Sequence, residues 1–566
     1  MSSFYSVIKK ISDEKIMYEI ARFCSLAAWI LLSISVLLFK DIRFGRFGLI
    51  HDLPLLYFVS LFFSLSSGFI TMGIKHEKRI LQFLNLIFLL TALWLVPTLF
   101  EGTPRFASAY KAIGFVEYIY REGKLNSSNW ELFYHNWPGF SIFASVLWMF
   151  TGPDVIYPIV LYYPFVLHLI MLPVLYLIFK HTPIGCNAPN GWYLAGVVYF
   201  IANFVNQDYF SPQSFAYYLL SIIILLLLER KKWLKNCNRA VGYKIILMLL
   251  FVTIVISHIL SSLVVLTMFG VFCAFEKTTF KTMLLFSIIV MLAWTIYGAG
   301  VYFDTHTSMI IKDIFMLEKA WNANIGNRIK GSPEHIVVNK IRFFYASSFA
   351  FIGFIGVISS VKKLEKETLL DLVKVSVVSI CVTGAFVYGG ESFMRTYLLM
   401  LIPMSIFWMG YLCEKKLLPL LLSLCIMALP FHLIAHYGNE EVDYVDIGII
   451  QASDFLAKYC PNGYAVGYEG ILGNTKHTDR FITLTWEQCF QEYLKNKHNE
   501  NFYFGVGQWE RNFHNLFYND LAFVDIVDIK MKYDKNYTLF YDNGEIKLYH
   551  TNTKIFNKVI LGLPTM

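Results

Sequence analysis

Eleven stretches of 13 to 25 mostly apolar residues punctuate the first 436 positions of this 566-residue chain. Runs of that length leave few architectures open, because a helix needs about 20 such residues to cross a ~30 Å hydrocarbon layer, with about 17–25 the usual range. The runs are 23–39, 53–74, 80–100, 155–179, 192–204, 213–228, 281–303, 340–360, 371–388, 395–412 and 417–436. Composition agrees: 56% of residues are hydrophobic and only 16% charged, with a mean hydropathy of +0.52. An ordinary soluble domain is about 45–50% apolar and roughly 25% charged. Soluble-enzyme, collagen-like, disordered and disulfide-scaffold readings fall here. The chain reads as a mainly α, polytopic helical membrane protein.

Two stretches are ambiguous in hydropathy and are resolved by loop charge. Residues 243–275 are too long for one span and short for two, and 137–151 are short and begin Trp137-Pro138-Gly139. The most basic loops are 75–79 (KHEKR), 229–239 (ERKKWLKNCNR), 362–366 (KKLEK) and 414–416 (EKK). The positive-inside rule places all four in the cytoplasm. That requires 137–151 to be re-entrant or interfacial rather than crossing, and 243–275 to break into a tight hairpin near Ser257-His258. The expectation is about 13 spans in a plasma membrane, with the N-terminus cytoplasmic. Residues 1–22 are polar and of mixed charge, so 23–39 reads as a retained signal anchor. Lys40, Arg43 and Arg46 dissent, lying outside on this topology.

Residues 437–566 differ. They hold 12 basic and 17 acidic residues, a balance of −5, against 36 and 23, or +13, for residues 1–436. Short alternating runs at 537–541 and 545–549, joined by Asp542-Asn543-Gly544, signal a hairpin. Residues 446–459 have helical periodicity and 464–468 look like a strand. A small extracytoplasmic α/β or α+β domain is expected at 437–566, after a membrane domain at 1–436. Nothing in this charge pattern suggests nucleic-acid binding. The nine cysteines show no paired spacing. Cys460 and Cys489 could bridge in the tail; otherwise cysteine is small apolar filler.

On this topology every polar interruption falls on the outer side, within or beside the outer loops 101–137 and 304–340. Glu101 follows the third span, with Arg105 behind it. Asn206-Gln207-Asp208-Tyr209 and Gln213 lie between two spans. His258 sits at the hairpin tip, and Glu391 and Arg395 between the next-to-last pair. Ionisable groups at membrane depth are functional candidates by default, so their convergence suggests a single site. Each also has a plain structural reading. Glu101 as a solvated loop acid, Asp208 as a helix cap or ion-pair partner, His258 as a satisfied turn residue, and Glu391 with Arg395 as a local i,i+4 pair. Residues 111–121 (KAIGFVEYIYR) read as an amphipathic interfacial helix. With no nucleotide-phosphate loop, HExxH, GxSxG or EF-hand pattern, an outward-facing enzyme must receive its activated substrate through the membrane, which points to a lipid-linked donor.

Taken in order, Glu101 with Pro104-Arg105-Phe106, the helix ending Glu122-Gly123-Lys124, Trp137-Pro138-Gly139-Phe140, Asp208-Tyr209-Phe210-Ser211-Pro212-Gln213, Ser257-His258, and Tyr388-Gly389-Gly390-Glu391 with Arg395 resemble the multispanning GT-C glycosyltransferases and their archaeal and Gram-positive relatives. The resemblance covers roughly residues 80–412. It implies sugar transfer on the outer face from a polyprenyl-phosphate-linked donor to a glycan, glycolipid or protein acceptor. The acid in the first large outer loop of such enzymes serves as base or metal ligand, a role that falls on Glu101, with Asp208 a second acid. Two departures stand out. Gly102 follows Glu101 where many members carry a second acid, and Tyr110 stands where relatives have a histidine.

An oxocarbenium-like transfer needs a base for the acceptor hydroxyl, positive charge for the departing phosphate and polar groups for the sugar. Glu101 is the candidate base. Arg105, Arg395 and His258 are the candidate cations, and Asn206, Gln207, Tyr209 and Gln213 suit sugar hydroxyls. Glu391 completes the substrate-binding set. No cofactor is called for with certainty, and a divalent cation (Mg or Mn) could take part of the arginine role. Alternative readings are a transporter or flippase for a lipid-linked substrate, and a catalytically inactive relative acting as an envelope scaffold.

Overall fold

The computed structural model describes residues 14–39, 42–74, 76–127, 134–152, 155–182, 190–235, 237–313, 316–361, 366–384, 391–412, 417–467, 471–473, 475–486, 488–489, 500–520 and 522–551. The apolar runs become helices α1 (Glu14–Leu38), α2 (Leu55–Gly73) and α3 (Arg79–Glu101). After α4 (Ala107–Glu122) and α5 (Gly139–Thr151) come α6 (Ile156–His181), α7 (Gly191–Ala202), α8 (Pro212–Leu234), α9 (Cys237–Val255) and α10 (Ile259–Phe275). The bundle closes with α11 (Lys277–Ala293), α12 (Gly300–Asp313), α13 (Leu317–Trp321), α14 (Pro333–Ser360), α15 (Lys366–Gly384), α16 (Ser392–Leu412) and α17 (Leu418–Tyr437). Among the described residues ten helical segments are long and apolar enough to cross a membrane, and α5, α7 and α10 are shorter apolar helices. The chain is a multi-span helical membrane protein.

Of the two ambiguous stretches, one divides into two helices and the other forms a single short helix. The long run breaks between Val255 and Ile259, with His258 at the cap of α10. At 13 residues, one more than α7, α5 extends about 20 Å. Its first turn sits on the hairpin tip: the Gly139 N–H donates to the Ile256 carbonyl at 2.8 Å, and a Cβ at Gly139 would lie 2.3 Å from Ser257 Oγ. Any larger residue there would push α5 off the hairpin. The basic loops 362–366 and 414–416 lie largely outside the described residues, as do Lys40 and Tyr388-Gly389-Gly390 of the outer loops.

Polar side chains tie the first three helices together inside the apolar core. Asn85 of α3 donates to Ser67 Oγ of α2 (2.9 Å) and accepts from Ser25 of α1 (2.9 Å). Gln82 donates to Thr71 and Asn190. Within a bilayer such bonds hold helices where hydrophobicity alone cannot.

Helix α4 departs from expectation. The sequence shows one apolar stripe, yet residues on every side of it are buried, because it is sandwiched between α5 and the tail. Its alanines 107, 109 and 112 and Gly114 are small enough for close approach on the faces that read as polar. The few charges left are paired: Arg121 reaches Glu117 (3.0 Å) and Asp479 (2.6 Å), and Glu117 accepts from the His477 N–H (3.1 Å).

The tail holds α18 (Ile447–Tyr459), capped by Asp446, then α19 (Gln508–Tyr518), α20 (Phe523–Tyr533) and a five-stranded sheet. Its strands are β1 (Gly463–Val466), β2 (Phe481–Leu484), β3 (Asn501–Gly507), β4 (Thr538–Asp542) and β5 (Ile546–Thr551), in the order β2-β1-β3-β5-β4. Strand β1 runs parallel to β2 and β3, whereas β5 is antiparallel to β3 and β4, so the domain is a mixed α/β sheet. The β4–β5 turn falls at Asp542-Asn543-Gly544. Cys460 and Cys489 are both buried and unbridged. Arg43 lines a cleft of about 250 Å³ with Glu441, Asp446 and Glu545. Arg43 of the dissenting basic loop thus shares a cleft with acids of the tail.

At the far end of the bundle, away from the tail, buried charges are matched. Arg230 of α8 binds Glu276 through Nε (3.0 and 3.1 Å) and Asp371 of α15 through Nη1 (2.5 Å), and Lys374 binds Asp371 (3.0 Å). Glu77 accepts from Lys180 (2.9 Å) and Trp192 (2.8 Å).

Candidate active site at the tail-side end of the bundle

Helix α3 does not run straight into its last turn. A π turn at Thr91–Leu95 rotates the final residues, a feature that commonly re-aims side chains at functional sites. It turns Trp94 toward the loop after α7, where the indole N–H donates to Asp208 Oδ2 at 2.6 Å. Helix α3 then ends on Glu101, with Gly102 in the left-handed region at φ +70°. Phe106 also has positive φ (+67°), a strained setting for a large side chain. Two contacts hold it there: its N–H donates to the Asp443 carbonyl at 2.8 Å, and its ring lies 5.4 Å from that of Tyr209.

Asp208 does not cap α8; Ser211 does. Instead its Oδ2 accepts from both Trp94 and His168 Nε2 (3.0 Å). Burial works to raise its pKa, but the bond from His168, the nearby His436 and the indole N–H outweigh it and hold the carboxyl well below the usual range. Asp208 is therefore a fixed anion. Glu101 is its opposite in bonding. Its side chain is fully buried, and its partners are a second buried carboxyl, Glu440, to which it is hydrogen-bonded, and the guanidinium of Arg105. Arg105 Nε stands 3.8 Å from Oε2, while its other nitrogens bind Glu440 Oε1, the His436 carbonyl (3.1 Å) and His436 Nε2 (3.0 Å). Glu101, Arg105, Asp208, Tyr209 and His436 surround a cavity of about 20 Å³, room for roughly one water.

Phe106 and Tyr209 also form one wall of a much larger chamber of about 460 Å³. Asn206, Gln207, Asn339 and Asn439 supply amides to it, Arg328 and Arg342 supply guanidinium groups, and Glu391 and Asp443 supply carboxylates. Several of these groups are buried with unused capacity: Asn206 Oδ1, Gln207 Oε1 and Arg342 Nη2 have no partner among the described residues. Buried polar atoms are nearly always satisfied, so each such exception needs an explanation, and a polar ligand supplies one. Arg342 is positioned by its bonds to the Ala435 carbonyl (2.7 Å) and Asn339 Oδ1 (3.4 Å).

Beside the chamber, α14, α16 and residues 321–325 line an apolar groove of about 510 Å³, with Phe349, Phe393, Tyr397, Met400 and Met404 among its walls. The two spaces adjoin along the chain, since Ala323 and Glu391 line the chamber while Asn324 and Ser392 line the groove. The segment after α13 is thus folded against the site: the Phe393 N–H donates to Asn324 Oδ1 at 3.1 Å.

Of the residues singled out in the sequence, Glu101, Arg105, Asp208 and Tyr209 share the small cavity, and Asn206, Gln207, Tyr209 and Glu391 the chamber. Arg395 pairs with Glu391 at 2.6 Å, the same carboxylate that accepts from Gln207 Nε2 (3.2 Å). Gln213 and His258 line neither space. His258 caps α10 through Nδ1, and burial together with nearby Arg395 pushes its pKa down to about 3, so it is neutral near pH 7. The sequence reading missed Trp94, His168, Arg328, Arg342, His436 and Glu440.

Among the described residues no group of three or more His, Cys, Asp or Glu is placed to hold a metal ion. Glu101 stands beside a guanidinium, and Asp208 is occupied by two donors. This set does not meet the six or more oxygens a hard divalent cation takes.

No protein-family profile and no curated protein sequence matches the chain. Among solved structures it is similar to the oligosaccharyltransferase of Archaeoglobus fulgidus, crystallised with zinc and sulfate, at 10% identity and a TM-score of 0.49, over 83% of this chain and 73% of that one. It is similar also to ArnT from Cupriavidus metallidurans bound to undecaprenyl phosphate, at 9% identity and a TM-score of 0.48, over 83% and 97%. These are likenesses of chain path, and the functional reading rests on this chain's own residues.

Proposed function

We propose that the protein is a membrane glycosyltransferase of the GT-C type, which moves a sugar from a polyprenyl-phosphate carrier to a hydroxyl-bearing acceptor at the outer face. The observation that carries this is the contiguity of three unlike environments: an apolar groove lined by α14 and α16, a chamber with two guanidinium groups and several amides, and beside it the small cavity that holds the buried Glu101 and Asp208 carboxyls. A polyprenyl chain suits the groove. The phosphate suits Arg328 and Arg342, and the sugar hydroxyls suit Asn206, Gln207 and Asn339.

In the step, the acceptor oxygen bonds to the anomeric carbon as its proton passes to Glu101. The bond from that carbon to the phosphate oxygen breaks, and its electron pair leaves with the polyprenyl phosphate. Charge developing on the phosphate meets Arg328 and Arg342, a form of stabilisation that a dry site strengthens. Asp208, pinned as an anion by Trp94 and His168, supports the positive charge that builds on the sugar ring.

The test is label transfer by the full chain in lipid, with a panel of radiolabelled polyprenyl-phosphate sugars, beside Glu101→Gln. Transfer or donor hydrolysis by the wild type that disappears in the variant is the expected result. If no donor is bound or turned over, the glycosyltransferase reading is overturned in favour of transport or scaffolding.

A further inference from the structure

We infer that Phe517, which the tail domain lends to the chamber, is the ring on which the acceptor packs, and that this acceptor is a saccharide; the inference rests on the glycosyltransferase reading of the site. Phe517 stands in the last turn of α19, and its half-buried ring lines the chamber beside residues of the membrane part. Phe513 lies 4.2 Å from that ring and His335 meets it edge-on at 4.9 Å. Helix α19 is fixed from several directions. Trp509 Nε1 donates to the Val442 carbonyl (2.9 Å) and Asn512 Nδ2 to the Glu441 carbonyl (3.2 Å). The Ser332 N–H donates to the Leu516 carbonyl (2.9 Å), and a Cβ at Gly331, where φ is +104°, would stand 2.2 Å from that same oxygen. Gly331 thus lets backbone approach backbone where a side chain would not fit, and the approach sets where Phe517 stands.

Position and chemistry both point to an acceptor. A lipid-borne donor reaches the chamber from the groove, where Ala323 and Glu391 adjoin Asn324 and Ser392. Phe517 arrives instead from the tail, and among the described residues no segment after Asp443 is long and apolar enough to cross a membrane. A ligand that comes through water rather than lipid meets the chamber on the tail's side. The lining there combines two chemistries: rings from Phe106, Tyr209 and Phe517, and amides from Asn206, Gln207, Asn339 and Asn439. Two of the amides are held in place. Asn339 Nδ2 donates to His335 Nε2 (2.8 Å), which leaves His335 Nδ1 as the donor toward Asn439 Oδ1 (3.4 Å). The other two, Asn206 and Gln207, each keep a buried oxygen with no partner among the described residues. A sugar ring offers C–H faces to aromatic rings and a rim of hydroxyls to amides, so it satisfies both sets at once. An extended peptide is commonly gripped along its backbone by a sheet edge, and no strand lines this chamber among the described residues.

The experiment uses the full chain in lipid nanodiscs with the panel of radiolabelled polyprenyl-phosphate sugars. The acceptors offered are methyl hexosides, a methyl disaccharide, glycerol and a serine-containing peptide. The saccharides are the accepted class, and Phe517→Ala raises their KM roughly 5–30-fold, the order expected for a lost ring contact. The donor KM, and donor hydrolysis without acceptor, stay within about twofold of wild type. Phe517→Tyr keeps the ring and the wild-type acceptor KM. Gly331→Ala changes no side chain of the chamber but displaces the end of α19, and it raises the same KM. Should Phe517→Ala fail to fold, Phe517→Leu, which keeps bulk without a ring face, is read the same way. Donor hydrolysis that persists with an unchanged acceptor KM in the variant, with a raised donor KM, or with glycerol or the peptide preferred overturns the inference alone. A loss of melting temperature and of both reactions together in every Phe517 variant, tyrosine included, also overturns it, since a merely structural residue would behave so. A wild type that neither hydrolyses nor transfers from any donor overturns the glycosyltransferase reading as well.

Discussion

The two ends of the helix bundle treat buried charge in opposite ways. Away from the tail, Arg230, Glu276, Asp371 and Lys374 form a closed set, and Glu77 is satisfied by Lys180 and Trp192. On the tail side, Arg342 is buried and yet keeps a nitrogen without a partner among the described residues, as Asn206 and Gln207 keep an oxygen. A satisfied network locks helices together. An unsatisfied one is destabilising by itself and persists where a ligand or a reaction uses the spare capacity. Residue types are alike at the two ends; the matching of donors to acceptors is what separates clamp from site.

Substitutions at both ends can break or sharpen that contrast. The largest effect is expected from Glu101→Gln, which removes a base worth about 10²–10⁴-fold and leaves the thermal midpoint unchanged or slightly raised; single-turnover transfer and a melting curve check both halves. Next is Arg230→Met, which strands Glu276 and Asp371 and should cost about 3–5 kcal/mol of stability, with the kcat of the surviving folded protein unaltered. Arg342→Gln should raise the donor KM by roughly 10–100-fold, as expected for a lost charged hydrogen bond of about 1.5–3 kcal/mol, without lowering the melting temperature. A drop in melting temperature as large as that of Arg230→Met would place Arg342 among the clamps.

The smallest effect concerns pH. Burial opposes ionisation of Glu77, but Lys180, Arg79 and Trp192 prevail, and Arg230 holds Glu276, so both carboxyls lie below their ordinary pKa. Groups depressed in the folded state stabilise it above the unfolded value of about 4.3. That contribution fades as pH falls through the folded values, so the melting temperature should decline on acidification below about pH 4.5, and less steeply in a Glu276→Gln variant.

The spans, the hairpin at Ser257-His258 and the turn at Asn543-Gly544 were legible because hydropathy and turn chemistry are local. Half of the site was legible for the same reason, since Glu101 and Asp208 interrupt apolar runs and stand out. Their partners did not. Trp94 and His168 lie inside spans, where an aromatic or a lone histidine reads as core, and Arg342 sits near the start of an apolar run. Glu440 is one acid in an acidic stretch, and nothing local marks it as the residue that meets Arg105. The burial of α4 was hidden likewise, because its second partner is supplied by a domain more than 300 positions away.

That separation has a consequence for the order of synthesis. Arg105 and Glu440 are 335 residues apart, so a growing chain inserts its first three spans long before the anchor for Arg105 exists. Until the last span is threaded and the segment at 440–445 reaches the same face, Arg105 lacks its second carboxylate, and the cavity beside Glu101 and Asp208 lacks the wall that His436 and Tyr437 supply. The pocket therefore closes only when the membrane part of the chain is complete.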